Sequence, residues 1–176
     1  MAYWLLQIVP KKGAYVPPIT EAEVESVMQA RVLVEDWCTR RAALSNGALL
    51  PELTELMRRL GKMQQAPMAF MECDREFHRA IVRAAGNPVL VGFYESLRDR
   101  QLRMGVTAIA ASEERTGYVL AEHAAIVKAL RAGDPERAAA AMAQHLSNTL
   151  AALQRPTASG FVSGRVTAEG WSRDGG

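Results

Sequence analysis

The residues best suited to chemistry are one aspartate and three histidines, the only histidines in the 176 residues. Asp74 and His78 are four residues apart, a spacing that places both side chains on one face of a helix. His123 and His145 each lie in the middle of an apolar helical pattern. Three neutral imidazoles and a carboxylate suit Zn²⁺, Ni²⁺ or Mn²⁺, and ligand type does not choose among these metals. The four residues therefore form a candidate metal site.

An alternative is that the histidines are unrelated and that each is satisfied by its own hydrogen bond. Any single histidine of the three fits that interpretation better than it fits a ligand. Their joint placement favours a metal, because leaving several polar groups buried without partners costs about 1 to 3 kcal/mol each. One ion would satisfy all of them together. Spacing alone leaves both interpretations open.

The elements that must position these residues are predicted to be helices. Alanine and leucine dominate a sequence that is 49% hydrophobic and only 6% aromatic, and such residues lose little entropy in a helix. Helix starts and stops follow one another at short intervals. We predict an all-α antiparallel bundle of about six helices, in which the fourth helix runs from Pro88 to about Ala110. The signals used are Thr20 with Glu23, Asn46-Gly47, Pro51, Pro67, Gly86, Asn87-Pro88, Ser112 and Asp134-Pro135.

Residues 1–18 differ from the rest of the sequence. Two short apolar runs, Tyr3 to Val9 and Ala14 to Val16, flank a basic turn that contains Lys11, Lys12 and Gly13. This pattern predicts a β-hairpin. We therefore expect three segments: the hairpin and its linker (1–18), a helical metal- and effector-binding domain (19–155), and a flexible tail (156–176) rich in Gly, Ser and Thr.

Composition places few limits on partners. The net charge of +2 is too small to indicate nucleic-acid binding by electrostatics alone. No run approaches the roughly 18 to 20 apolar residues that cross a bilayer, and the first residues do not match a signal peptide. Cys38 and Cys73 are far apart and are expected to be reduced, buried thiols. These features together predict a cytoplasmic protein.

Three segments resemble a known family. The stretch DREFHRAIVRAAGNPVL, Asp74 to Leu90, is similar to the D-x-x-F-H-x-x-I-x-x-A-x-G-N-x-x-L motif of the C-terminal ligand-binding (FCD) domains in the FadR-type branch of GntR transcription regulators. Gln29 to Ala43 resembles the first helix of that domain, with Arg31 and Glu35 at its R-x-x-x-E positions. Glu122 to Leu146 resembles its last two helices. The resemblance covers about residues 19 to 153.

This resemblance implies a function in transcription regulation. In that family an aspartate and three histidines bind a divalent metal, and they correspond to Asp74, His78, His123 and His145. The resemblance further implies a homodimer that binds a small carboxylate effector, which controls DNA binding. Arg31 is the first candidate to pair with the effector, because a guanidinium holds a carboxylate through two parallel hydrogen bonds. Further candidates are Asn87, Arg98, Arg100 and Arg103.

The sequence departs from the family before residue 19. The segment LLQIVPKKGAYVPPIT resembles only the closing wing of a winged helix-turn-helix, in which Lys11, Lys12 and Gly13 would contact DNA. The recognition helix has no counterpart, so we expect weak DNA binding or none from this chain alone. A truncated start is the favoured explanation, and a true loss is the alternative.

Two other functions are compatible with the same donor set. A metal-dependent hydrolase or lyase would use an open coordination position to activate water, with Glu122 or Glu76 as general base. The second alternative function is purely structural: a helical bundle that a bound metal stabilises. No Ser/His/Asp arrangement, Cys/His arrangement or phosphate-binding loop accompanies the four residues, so we predict that the protein is not an enzyme.

Overall fold

The computed structural model describes residues 7–9, 13–15, 19–110, 112 and 114–154. Seven helices account for most of these residues. Their bounds are α1 Glu21–Ala43, α2 Leu50–Lys62, α3 Pro67–Ala84, α4 Pro88–Ser96, α5 Arg98–Ala110, α6 Arg115–Arg131 and α7 Pro135–Leu153. The prediction of an all-α bundle is confirmed.

Most helix starts are where the sequence signals put them. The side chains of Thr20, Asn87 and Asp134 accept hydrogen bonds from backbone N–H groups in the first turns of α1, α4 and α7. These bonds satisfy donors that have no partner within the helix. Ser112 is an exception, because α6 begins only at Arg115 and no side chain caps it.

The predicted fourth helix is two helices, α4 and α5, so the described residues form seven helices where about six were expected. The hydroxyl of Ser96 donates to the carbonyl of Phe93 at 2.6 Å. In a continuous helix that carbonyl would accept from the backbone N–H of Leu97. The Leu97 N–H bonds to Tyr94 and Glu95 instead. A side chain that competes for a backbone group in this way accompanies the break between α4 and α5.

The core lies where α3 meets α1, α2, α5 and the α6–α7 pair. Fully buried apolar side chains from most of these helices meet there: Leu53, Leu60, Phe70, Phe77, Ile81, Ile126, Met142 and Leu146. A smaller apolar cluster joins α1, α3 and α4 through Val34, Cys38, Val82 and Tyr94. Both cysteines are buried and free. The core therefore encloses the middle of α3, α6 and α7, the segments that carry the candidate metal ligands.

Two short strands precede the helices. Gln7–Val9 (β1) pairs antiparallel with Gly13–Tyr15 (β2), with Ile8 opposite Ala14. Gly13 belongs to β2, whereas Lys11 and Lys12 lie outside the described residues, as does the segment 156–176. The strand pair is shorter than the predicted hairpin, and nothing in the described residues supports its assignment as the remnant of a winged helix.

Within the described part of the chain, no helix is both long enough and apolar enough to span a bilayer.

Candidate metal centre and adjoining cavity

The four sequence-predicted ligands lie together inside the bundle. Asp74 and His78 come from α3, His123 from α6 and His145 from α7. One nitrogen or oxygen atom of each lies within 4.8 Å of a corresponding atom of every other member. All four side chains are buried. The tertiary structure thus assembles a compact donor set from three helices.

Aromatic packing helps to orient two of the histidines. The ring of His123 stacks on Phe77, with centroids 4.0 Å apart and planes within 7° of parallel. Phe77 also meets the edge of His78 at 5.6 Å. Because Phe77 is fully buried, its ring cannot swing away without opening the core. It therefore restricts the rotation of His123.

Glu35 on α1 holds His78 from the side opposite to the cluster. Its carboxylate accepts from His78 Nδ1 at 2.6 Å, from Arg31 Nε at 2.6 Å and from the Tyr94 hydroxyl at 3.2 Å. Burial alone would raise the pKa of Glu35, but Arg31 and His78 lower it well below its ordinary value. An ionised Glu35 fixes the His78 tautomer with the proton on Nδ1 and frees Nε2 for the cluster.

Glu122 performs the same role for His145. Its carboxylate lies 2.7 Å from His145 Nδ1 and accepts from Arg115 at 2.9 Å and from the Asn148 amide at 2.9 Å. Burial opposes ionisation, yet the hydrogen bonds from these three side chains outweigh it and lower the pKa of Glu122 to about 2. Two of the three histidines thus have their Nδ1 atom paired with a carboxylate.

The remaining imidazole nitrogens fit a metal ion. Nε2 of His78 and both nitrogens of His123 are buried without a hydrogen-bond partner among the described residues. His123 Nε2 is 3.4 Å from an Asp74 carboxylate oxygen. Burial, reinforced by the neighbouring histidines, lowers the pKa of His123 well below its ordinary value, and burial also lowers the pKa of His145. Neutral imidazoles with free lone pairs are the form that binds metals.

A small, partly open cavity adjoins the cluster. Asp74, His78 and His145 form part of its wall. The other polar residues of the wall are Arg31, Arg75, Tyr94, Gln101, Arg115 and Thr149. Apolar side chains from α5, among them Met104 and Ile109, also line the cavity. A small ligand in this cavity could reach both the donor cluster and several polar groups.

Of the five predicted effector-binding residues, only Arg31 lines this cavity. Asn87 caps α4 through its side chain. Arg98 pairs with Glu72 at 3.1 Å, and Arg100 and Arg103 both reach Glu23, at 3.5 and 2.7 Å. The structure therefore places these four away from the lining of the cavity, while their role in effector binding stays an untested prediction.

Sequence reasoning missed several residues that the structure brings to the site. Gln101 and Arg115 were not singled out, and Glu122 was considered only as a catalytic base. Some signals were available: Arg31 and Glu35 are four apart on one helix face, and Arg115 is seven residues before Glu122. Gln101 carried no comparable signal, because its approach to the cluster depends on how α5 packs against α3.

Comparison with known proteins identifies a family. The family model for the FCD domain matches residues 26–148. The HTH-type transcriptional repressor NanR of Escherichia coli is 32% identical over 84 residues, which are 47% of this chain and 32% of that protein. NanR of Cronobacter sakazakii is 33% identical over 87 residues, 48% of this chain and 33% of that protein. The chain therefore spans about a third of the curated relatives it matches.

Solved structures share the fold. The Escherichia coli protein McbR/YncC has a TM-score of 0.69 and 22% identity, covering 85% of this chain and 76% of that one. The metal-free FCD domain of TM0439 has a TM-score of 0.62 and 21% identity, covering 78% and 95%. At these identities the likeness establishes the fold. The NanR relatives are transcriptional repressors, and they offer no support for the hydrolase or lyase alternative.

Proposed function

The chain belongs to the FCD domain family, and from that premise we propose that it is the effector-sensing domain of a GntR-type transcription regulator. Asp74, His78, His123 and His145 would hold a divalent metal, Zn²⁺, Ni²⁺ or Mn²⁺, and the adjoining cavity would take a small carboxylate. The observation that carries the proposal is the convergence of unpartnered histidine nitrogens and one carboxylate beside a cavity lined with arginine.

The bound metal would supply positive charge and open coordination positions for a carboxylate oxygen. The chain's own residues would orient the metal ligands and bind the effector. Glu35 and Glu122 orient His78 and His145, Phe77 restricts His123, and Arg31 presents a guanidinium to the cavity while its Nε stays bonded to Glu35. These residues hold the site in place before the effector arrives.

Regulation requires that the effector bind one of two states of the protein more tightly than the other. We propose that the domain, residues 19–155, works in a cytoplasmic homodimer whose full-length form binds DNA. Residues 1–18 would then be the wing and linker of a DNA-binding module, with Lys11, Lys12 and Gly13 near DNA. Weak or no DNA binding is expected of this chain alone.

Metal content and thermal stability test the sensing function. The purified protein is stripped with a chelator and reloaded with Zn²⁺, Ni²⁺ or Mn²⁺, and its melting temperature is followed with small dicarboxylates and hydroxy acids. Binding to the native state alone raises the melting temperature, so a rise is expected only in the metal-loaded protein. If no carboxylate shifts the loaded protein, the domain does not sense carboxylates.

The variant His123→Ala is expected to lower both metal content and the carboxylate response, because it removes one of four donors. Val127→Ala is the matched control: Val127 is also buried on α6, one turn further along, but offers no donor atom. Elemental analysis after gel filtration reports the bound metal. Full metal occupancy in His123→Ala would show that the ligand set is misassigned.

A further inference from the structure

Gln101 is a polar side chain of the cavity wall that uses neither of its hydrogen-bonding groups within the described part of the chain. It lies on α5, is only 6% exposed, and lines the same cavity as Asp74, His78 and His145. Neither its Nε2 nor its Oε1 has a hydrogen-bond partner among the described residues. A buried amide in that state costs about 1 to 3 kcal/mol, so a polar ligand group that reached it would relieve that cost.

The three arginines of the cavity differ from Gln101 because each already has a carboxylate partner. Arg31 pairs with Glu35 and Arg115 with Glu122, at 2.6 and 2.9 Å. Arg75 pairs with Glu76 and Glu95. Their charges are largely balanced within the protein. Among the buried unpartnered atoms of the cavity wall, which also include Arg75 Nε and the candidate ligand atom His78 Nε2, only Gln101 contributes both a donor and an acceptor.

The chemistry of an amide limits what that partner can be. Gln101 offers an N–H₂ donor and a carbonyl acceptor. A carboxylate accepts hydrogen bonds but does not donate them, so it would leave the carbonyl oxygen unsatisfied. A hydroxyl both donates and accepts, so unlike a carboxylate it can donate to the carbonyl oxygen of the amide.

Resting on the proposed function, we propose that Gln101 is a specificity-determining residue that reads a hydroxyl group on the effector, so that the domain selects hydroxylated over deoxy carboxylates. Sites that hydrogen-bond a ligand hydroxyl discriminate against analogues without it, because those analogues leave the protein's buried polar group unpaired. The carboxylate would occupy the metal side of the cavity, and the hydroxyl the side that α5 forms.

Two pairs of probes isolate the hydroxyl: lactate against propionate, and malate against succinate. Each pair has the same number of carboxylates and differs by one hydroxyl. Dissociation constants are measured by calorimetry on the metal-loaded protein. One net hydrogen bond is worth about 0.5 to 1.5 kcal/mol, so the hydroxylated member of a pair that binds is expected to bind roughly 2- to 10-fold more tightly.

A hydroxyl can also bind the metal directly, so the preference must be shown to depend on Gln101. In Gln101→Met, which keeps the length of the side chain and removes its polar groups, the preference is expected to fall to less than half of the wild-type ratio. Metal content and stability without ligand should be unchanged or higher, since the unpaired amide is gone. Gln101→Leu serves as a second variant, and Gln65→Leu, at an exposed position in the connection between α2 and α3, is the matched control.

The outcomes separate the two proposals. A preference that persists in both variants, or no preference in the wild type, would overturn the role of Gln101 while leaving carboxylate sensing intact. A loss of stability without ligand in both variants would show that Gln101 is structural. Absence of any carboxylate binding to the loaded wild type would overturn the proposed function, and the role of Gln101 with it.

Discussion

The carboxylate of Glu122 links the histidine cluster to an arginine of the cavity wall, as the carboxylate of Glu35 does through His78 and Arg31. Glu122 accepts from His145, a candidate metal ligand, and from Arg115, whose side chain lines the cavity. Arg115 in turn donates to the hydroxyl of Thr149 at 2.9 Å. A ligand that drew Arg115 towards itself would therefore alter the partner of His145. Through contacts of this kind, the proposed metal site and the proposed effector site would be coupled directly.

Replacing Glu122 by glutamine is expected to weaken metal binding. The variant keeps the size of the side chain but removes the charge that stabilises the His145 Nδ1–H, and loss of such a supporting carboxylate typically costs 10- to 100-fold in metal affinity. Competition with a chromogenic chelator measures the affinity. Glu25→Gln, at an exposed position on α1, should retain wild-type affinity. Equal affinities in the two variants would contradict an orienting role for Glu122.

At the scale of elements, the turn that follows the C-terminal end of α3 helps to position the candidate metal site. Gly86 follows the end of α3 with φ +75°, a left-handed conformation that glycine adopts without steric cost. Asn87 then starts α4 immediately. This tight connection returns the chain along α1 and brings the Tyr94 hydroxyl onto Glu35. The geometry of one turn thereby contributes to the position of His78.

The variant Gly86→Ala is expected to destabilise the fold by about 1 kcal/mol, because a Cβ is disfavoured at positive φ. Space does not limit the substitution, since no other group lies within 4 Å of the position a Cβ would take. Gly117→Ala, in helix α6 and equally uncrowded, should be neutral or stabilising by up to about 1 kcal/mol. Urea unfolding measures both. Equal stability of the two variants would show that the backbone conformation at Gly86 carries no cost.

For the whole molecule, exposed apolar side chains are concentrated on two helices that pack together. Val32, Leu33 and Trp37 lie on α1, and Val89 and Phe93 on α4. Leu33 and Val89 are each 76% exposed. Exposed apolar side chains that form a contiguous patch are typical of an interface between subunits. We therefore infer that α1 and α4 form the homodimer contact of the proposed regulator.

Leu33→Lys is expected to shift the protein from dimer to monomer, because it places a charge in the inferred contact. Light scattering during gel filtration reports the mass in solution. Met68→Lys, which changes an exposed apolar residue on α3, should leave the mass unchanged. A monomeric wild type, or a dimer that tolerates Leu33→Lys, would rule out this surface as the interface.

Local sequence signals were sufficient for much of the helical framework. Thr20, Asn87 and Asp134 begin helices because a short polar side chain satisfies the first N–H groups wherever it precedes an apolar pattern. Gly86 ends α3 for an equally local reason. The break at Leu97 was missed because the Ser96 hydroxyl competes for one carbonyl only in a particular rotamer, which the sequence does not reveal.

The sequence by itself determined the types and helical positions of Asp74, His78, His123 and His145, since the spacing of four and the apolar surroundings follow from helix periodicity. Only the tertiary structure decided which carboxylates bond to the histidines and which polar side chains line the adjoining cavity. Glu35 meets His78 across 43 residues of sequence and Glu122 meets His145 across 23, and Gln101 reaches the cavity through the packing of α5. Such contacts depend on how distant helices approach one another, a property that no local pattern encodes.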